Sequence, residues 1–319
     1  MNRRIATGQP GVARDAGTRH PPPAESSVSV TSTPSARAAF LGACALDVAV
    51  RKPGNVSAVS PGHGMGAALF LASARAAEAG LFAAGASVGE RIEAAVAASL
   101  AVAGCNTNLG IVLLCAPLAL AFERGGPARQ ALHAVLAALD LSDAAAAFRA
   151  IAAARPGGLG RTDTEDVSAP PTVSLLEAMT LAAGRDRIAR QYASGYADLW
   201  EIGLPALAAH ATPTAPGRAP SARAVQALYL AFLGRWPDSH LVRKFGTAAA
   251  QRVTDEAGPW LARAEQGEDL ERDPAFAAWD TSLKARGLNP GTSADLVVAT
   301  LFLAGASSVV KSGPDPASP

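Results

Sequence analysis

Charge is scarce in this chain, and what there is cancels. Asp, Glu, Lys and Arg make up 17% of the 319 residues, and the net charge at pH 7 is +1. There is no block of like charge and no basic stripe interleaved with aromatics, which excludes a surface built for a nucleic-acid backbone. Aromatics are scarcer still, at 5%, while hydrophobic residues reach 49% and alanine dominates them. Small side chains at the contacts favour closely packed helices. The three cysteines, Cys44, Cys105 and Cys115, are odd in number and lie in apolar surroundings. Their spacing fits neither a disulfide framework nor a zinc site, and they are expected as free thiols in a reducing cytoplasm. Sustained alternating segments and hairpin dipeptides between β-branched runs are missing, so a sheet is not expected. Also missing are a GxxxxGK[ST] loop and a GxGxxG after a strand, the two common nucleotide-binding turns.

What remains is helical. Val225, Leu228, Tyr229, Phe232 and Leu233 recur at i, i+3, i+4, i+7 and i+8, one face of a helix over 222–234. Comparable patterns predict helices over 36–51, 64–84, 87–104, 108–124, 128–139, 142–154, 172–183, 185–210, 246–264, 274–286 and 292–306. The fold class is therefore all-α, a single compact multi-helical domain over 35–310. Residues 1–34 are rich in Pro, Ser, Thr and Gly without an apolar face. They are expected as a disordered arm, or as upstream sequence from an early start site, and 311–319 as a disordered tail. No apolar core of a secretory signal follows the N-terminal arginines. The Pro-rich "TPTAPGRAP" at 212–220 is expected as a loop within the domain.

A run from Val96 to Phe122 carries no charge and exceeds the roughly 20 residues of a membrane span. Yet "CNTNLG" interrupts it at 105–110, with residues that end one helix and start another. Two buried helices are expected there, and no membrane partner.

The informative polar residues gather in five short segments beside apolar helices: "RKPGNVS" (51–57), "SPGHGM" (60–65), "CNTNLG" (105–110), "PGGLGR" (156–161) and "NPGTSAD" (289–295). Each alone reads as caps and turns. Together they supply what an anion site needs. "NPGTSAD" is expected to place Thr292 or Ser293 at a helix N-cap and Asp295 in the first turn; Asn106, Thr107 and Asn108 do the same for the next apolar helix. Helix N-termini favour phosphate. Arg51, Lys52, His63 and Arg161 are candidate phosphate cations, with Gly54 and Asn55 in the same turn as the first two. Asp47, Asp238 and Asp295 are candidate carboxylates for base chemistry or magnesium. Segments 50–65, 105–110 and 289–295 are expected to meet in one pocket, with Lys52 its main phosphate ligand.

In order, "KPGNVS", a His-containing turn, "CNTNLG", "GGLG", "DSH" and "NPGTSADLVVATLFLA" resemble the triphosphoribosyl-dephospho-CoA synthase family over roughly 40–306. The resemblance implies an all-helical, ATP-dependent glycosyl transfer. The 2′-hydroxyl of 3′-dephospho-CoA attacks C1′ of the ATP ribose, adenine leaves, and the triphosphate stays on the sugar. It implies Mg²⁺ with ATP, and roles for Lys52, Asn106, Thr107, Asp238 and Asp295, with metal at Asp238 and Asp295. The sequence departs from the family pattern at Ser57, where an Asp is usual. It departs again at "HGM", which lacks the Asp, at Leu109, where a Lys is usual, and at Asp47, where Glu is usual. Three readings stay open here: the parent transferase in the cytoplasm, a relative acting on another phosphorylated substrate in methanopterin-linked one-carbon metabolism, and a non-catalytic nucleotide-binding or scaffold protein. A homo-oligomer is left open.

Overall fold

The computed structural model describes residues 35–62, 66–160, 164–210 and 219–311. The arm at 1–34 and the tail beyond Lys311 lie outside them, as do His63, Arg161 and Asp163. The described residues form helices α1 (Ala36–Ala49), α2 (Ala67–Leu81), α3 (Val88–Ala103), α4 (Leu109–Arg124), α5 (Ala128–Ala137), α6 (Leu141–Ala154) and α7 (Leu175–Ala182). After them come α8 (Arg187–Ser194), α9 (Leu204–Ala209), α10 (Ala222–Leu233), α11 (Ser239–Phe245), α12 (Thr247–Glu265), α13 (Pro274–Ala285) and α14 (Gly291–Lys311). Among these residues there is no strand, only an isolated bridge between Ser57 and Ser60. The all-α expectation holds.

The helices that are apolar all round take the centre, because every face must leave water. These are α4, α10 and α14. Helix α14 packs on α1, α4, α10 and α11, and the amphipathic pairs α2–α3, α3–α6 and α7–α8 close around this centre. Core residues before and after the Pro-rich break belong to one cluster, so the break divides no domain. Local signals agree with the ends: Ser87, Asp140 and Ser174 open α3, α6 and α7 with capping boxes completed by Glu90, Asp143 and Glu177. The charge-free run breaks between α3 and α4 at the expected polar turn. Among the described residues no single helix is long and apolar enough to cross a membrane, and the apolar pair α4–α5 is bent by 114°.

Two expectations need correction. The helix predicted over 185–210 is three pieces: α8, a π-turn at Leu199–Gly203, and α9. Gly195 and Tyr196 adopt left-handed backbone between them, which turns Tyr196 into the core. Both tyrosines of this region reach carbonyls of α4. Pro117 has no N–H, so the carbonyl of Leu113, four residues earlier, loses its helical partner. The Tyr192 hydroxyl donates to that carbonyl at 2.6 Å, and Tyr196 donates to the carbonyl of Leu114 at 2.9 Å. Tyr192→Phe should therefore cost about 1–3 kcal/mol, the penalty of a buried carbonyl without a donor. A melting curve several degrees lower is the expected reading, and an unchanged one would show the bond to be worthless. The second correction is α14. It begins at Gly291, so Thr292 and Ser293 lie inside it and Asp295 is its fifth residue rather than a first-turn acid.

Candidate active site

The turn at 51–57 is held from below. Gly54 has φ 82°, and its N–H donates to Asp280 Oδ1 at 2.9 Å. A Cβ there would lie 2.7 Å from the Leu288 carbonyl oxygen, so only glycine fits. The Tyr229 hydroxyl donates to the Pro53 carbonyl at 2.7 Å, and Gln226 donates to the Arg51 carbonyl at 3.3 Å. The Arg51 side chain lies between Glu271 (3.4 Å) and Asp280 (3.5 Å). Asp280, fully buried, also holds Lys284 at 2.9 Å. The upper side of the turn faces the far end of the chain: Asn55 donates to Asn289 Oδ1 at 2.9 Å.

Above it opens a cavity of about 460 Å³. Asp47 lines it from α1, Asn55 and Val56 from the first segment, Asn106 to Gly110 from the second, and Asn289, Gly291 and Asp295 from the third. The three polar segments that the sequence singles out thus meet at the starts of α4 and α14 and the end of α1. The apolar lining comes mainly from α6 and α7, with Phe148, Leu175 and Met179 among its residues. The size suits a nucleotide-scale ligand with both polar and apolar parts.

The carboxylates differ in state. Asp295 faces the cavity with no hydrogen bond or ion pair among the described residues. Burial pushes its pKa well above the ordinary carboxylate value, and the neighbouring Asp238 and Asp47 push it further. Asp47 also lines the cavity, but from a buried position at the last turns of α1. Its Oδ1 lies 3.1 Å from the Lys52 ammonium, whose better-directed bond goes to the Asp47 carbonyl at 2.5 Å. Burial raises the Asp47 pKa, and the ammonium opposes that rise.

Five expected ligands stand elsewhere. Lys52 is fully buried behind Asp47 and does not line the cavity. Arg51 is committed to the carboxylates beneath the turn, and Gly54 packs there beside it. Asp238 is a correction too. Its Oδ1 accepts from the N–H groups of His240 and Leu241, and its Oδ2 accepts from the Ser293 N–H at 2.7 Å and Oγ at 2.8 Å. Both oxygens are committed, so Asp238 joins the starts of α11 and α14 and presents nothing to a metal or substrate. Ser293 is spent on the same junction. The acidic pattern at 238 marks a structural clasp because a buried carboxylate needs such donors.

The start of α4 is different. Asn106 Oδ1 caps the Leu109 N–H at 3.1 Å. Thr107 Oγ1 and the Nδ2 of Asn108 are buried without a partner, and both residues line the cavity. Asn108 is 4% exposed, so its idle donor is costly unless a ligand uses it. Helices α4 and α14 approach here so closely that a Cβ on Gly110 would lie 2.0 Å from Asp295 Oδ2.

Sequence reasoning missed Arg185, Asp186, His240 and Arg243, all of which line the cavity. Asp186 could have been found as the N-cap of α8, whose Ile188 and Ala189 amides it accepts at 2.8 and 3.2 Å. Arg243 carries no signal beyond its charge.

Fold and cavity together define an all-helical enzyme class whose site joins carboxylates, helix-start donors and arginines without a glycine-rich phosphate loop. The comparisons name it. The model of the family CitG, ATP:dephospho-CoA triphosphoribosyl transferase, matches residues 34–312, and the chain belongs to that family of pentosyltransferases. A solved structure from Archaeoglobus fulgidus, provisionally described as a triphosphoribosyl-dephospho-CoA synthase, is 26% identical with a TM-score of 0.56. The match covers 74% of this chain and 98% of that one. Among curated proteins, none matches the chain significantly.

Proposed function

We propose that this enzyme transfers the triphosphoribosyl group of ATP to a hydroxyl of 3′-dephospho-CoA and releases adenine. The acceptor oxygen forms a bond to C1′ while the C1′–N9 bond breaks and its electron pair leaves with adenine. The acceptor loses one proton and adenine gains one. The observation that carries this reading is the unpartnered Asp295 carboxylate on a cavity that also opens onto the start of α4. A carboxylate with a raised pKa is the better proton acceptor at neutral pH. Its charge also opposes the positive charge that develops on the ribose ring. The idle donors of Thr107 and Asn108 and the dipole of α4 suit the oxygens of the polyphosphate.

Magnesium fits this donor set in one manner. Among the described residues no three His, Cys, Asp or Glu side chains gather to cage an ion. Mg²⁺ commonly needs only one or two carboxylates when substrate phosphates complete its shell. Asp47 would hold it, in the place the sequence reading gave to Asp238, leaving Asp295 for the proton. When bound, the ion would neutralise triphosphate charge. The scaffold reading required the polar turns to lie apart, and they meet instead.

The test is a release assay with the purified protein. ATP, Mg²⁺ and 3′-dephospho-CoA should yield free adenine and a product heavier by the triphosphoribosyl mass, and omission of the acceptor or addition of EDTA should abolish both. A folded protein that releases no adenine under these conditions would overturn the assignment.

A further inference from the structure

Of the cations that the sequence offers for phosphate, the two that lie among the described residues, Arg51 and Lys52, are absorbed by the fold. Arg51 answers Glu271 and Asp280 beneath the turn, and Lys52, which does not line the cavity, answers Asp47 from behind. Among the described residues the arginines that line it are Arg185 and Arg243. Arg243 lies on α11 with its side chain 18% exposed. One of its terminal nitrogens, Nη1, donates to Asp186 Oδ2. Asp186 Oδ1 is fixed in turn by the first amides of α8, so the carboxylate that orients Arg243 cannot swing away. The Arg243 Nε is buried and has no hydrogen-bond partner. A planar guanidinium clamped at one end, with a buried donor idle on its flank, is shaped to receive two oxygens of one anion. The α4 side of the same cavity shows the same deficit, in the unpartnered Asn108 Nδ2.

We infer that Arg243, oriented by Asp186 and flanked by Arg185, is the principal polyphosphate-binding residue of this site, taking phosphate oxygens on its Nε edge while Asn108 donates from the start of α4. The inference rests on the proposed function for the identity of the phosphate chain and adds the residue that grips it. Arg243 binds and positions. It takes no proton, since a guanidinium stays charged throughout the working range.

The experiment is calorimetric titration of the full-length protein with inorganic tripolyphosphate, which carries the charge of the chain without base or ribose. The wild type should bind. Arg243→Gln should weaken binding at least about tenfold, the loss of a charge-assisted contact. Arg243→Lys, which keeps charge and loses the fork, should recover only part of the affinity. The double variant Arg243→Gln, Asp186→Asn leaves no unpaired carboxylate, and it should fold like the wild type and bind as weakly as Arg243→Gln. Wild-type affinity in Arg243→Gln or in the double variant, or no binding by the wild type, would overturn the inference. The release assay fails separately. Adenine release with an Arg243-independent tripolyphosphate affinity removes the subsite and leaves the reaction. Arg243-dependent binding without adenine release does the reverse.

Discussion

Asp295→Asn is expected to abolish turnover while the protein melts at the same temperature or higher. The two halves of this result come from one cause. Burial strips Asp295 of water and the carboxylates of Asp238 and Asp47 repel its charge, with Arg243 offsetting only part of this, so its ionised form is destabilised in the native state. Its folded pKa therefore exceeds its unfolded value. A carboxylate raised in this direction binds more protons folded than unfolded, so its contribution to stability falls as pH rises through that interval. An uncharged amide of the same shape removes the repulsion. Loss of a general base typically costs 10²–10⁴-fold in rate, and the drop should appear in kcat with little change in the affinity for ATP. If Asp295 only served the dipole of α14, the variant would stay active and lose stability. An active Asp295→Asn enzyme would end the catalytic assignment. Strain kept at a working residue is a common exchange of stability for activity.

How much of this was legible in the sequence depends on the range over which each feature is decided. The break at "CNTNLG" was readable because capping is local: Asn and Gly end and start helices wherever they occur. The burial of α10 was readable because its apolar periodicity is a property of twelve consecutive residues. The meeting of the three polar segments was suggested by their shared composition alone, and the fold brings them to one cavity. The partners of each charge were not readable. Arg51 and Lys52 sit side by side in a loaded turn and look like phosphate ligands. Asp280, 229 residues from Arg51, and Asp47, behind the turn, claim them instead. Asp238 reads as a free acid until Ser293 arrives from 55 residues away. Arg243 had no local mark, because what distinguishes it is an ion pair to Asp186 across 57 residues. Helix α11 was too short, at seven residues, to show a period. The kink at Gly195–Tyr196 carries the Tyr196 hydroxyl to the Leu114 carbonyl of α4, and nothing within 185–210 announces that.

The buried position of Lys52 changes what its removal should do. From the sequence, Lys52→Ala is expected to lose turnover with the fold intact. In the structure, the ammonium is the counter-ion of a buried carboxylate, and removing one partner of such a pair costs about 3–5 kcal/mol. Lys52→Ala should therefore lower the melting temperature substantially as well as silence the enzyme. The pH dependence identifies the cause. Without the ammonium, the Asp47 pKa rises further above its unfolded value, because burial then acts unopposed. Between those two values the native state binds the extra proton, so acidification should return stability to the variant relative to wild type, and alkaline pH should deepen the deficit. The double variant Lys52→Met, Asp47→Asn separates the two roles. With neither member of the pair left charged, it should regain most of the lost stability. It should remain inactive, because the carboxylate that would hold Mg²⁺ on the cavity wall is gone. A Lys52→Ala protein whose deficit is flat from pH 5 to pH 8 would show that Asp47 is not the group left stranded. A double variant that recovers turnover would remove Asp47 from the site and leave Asp295 as its remaining chemical carboxylate.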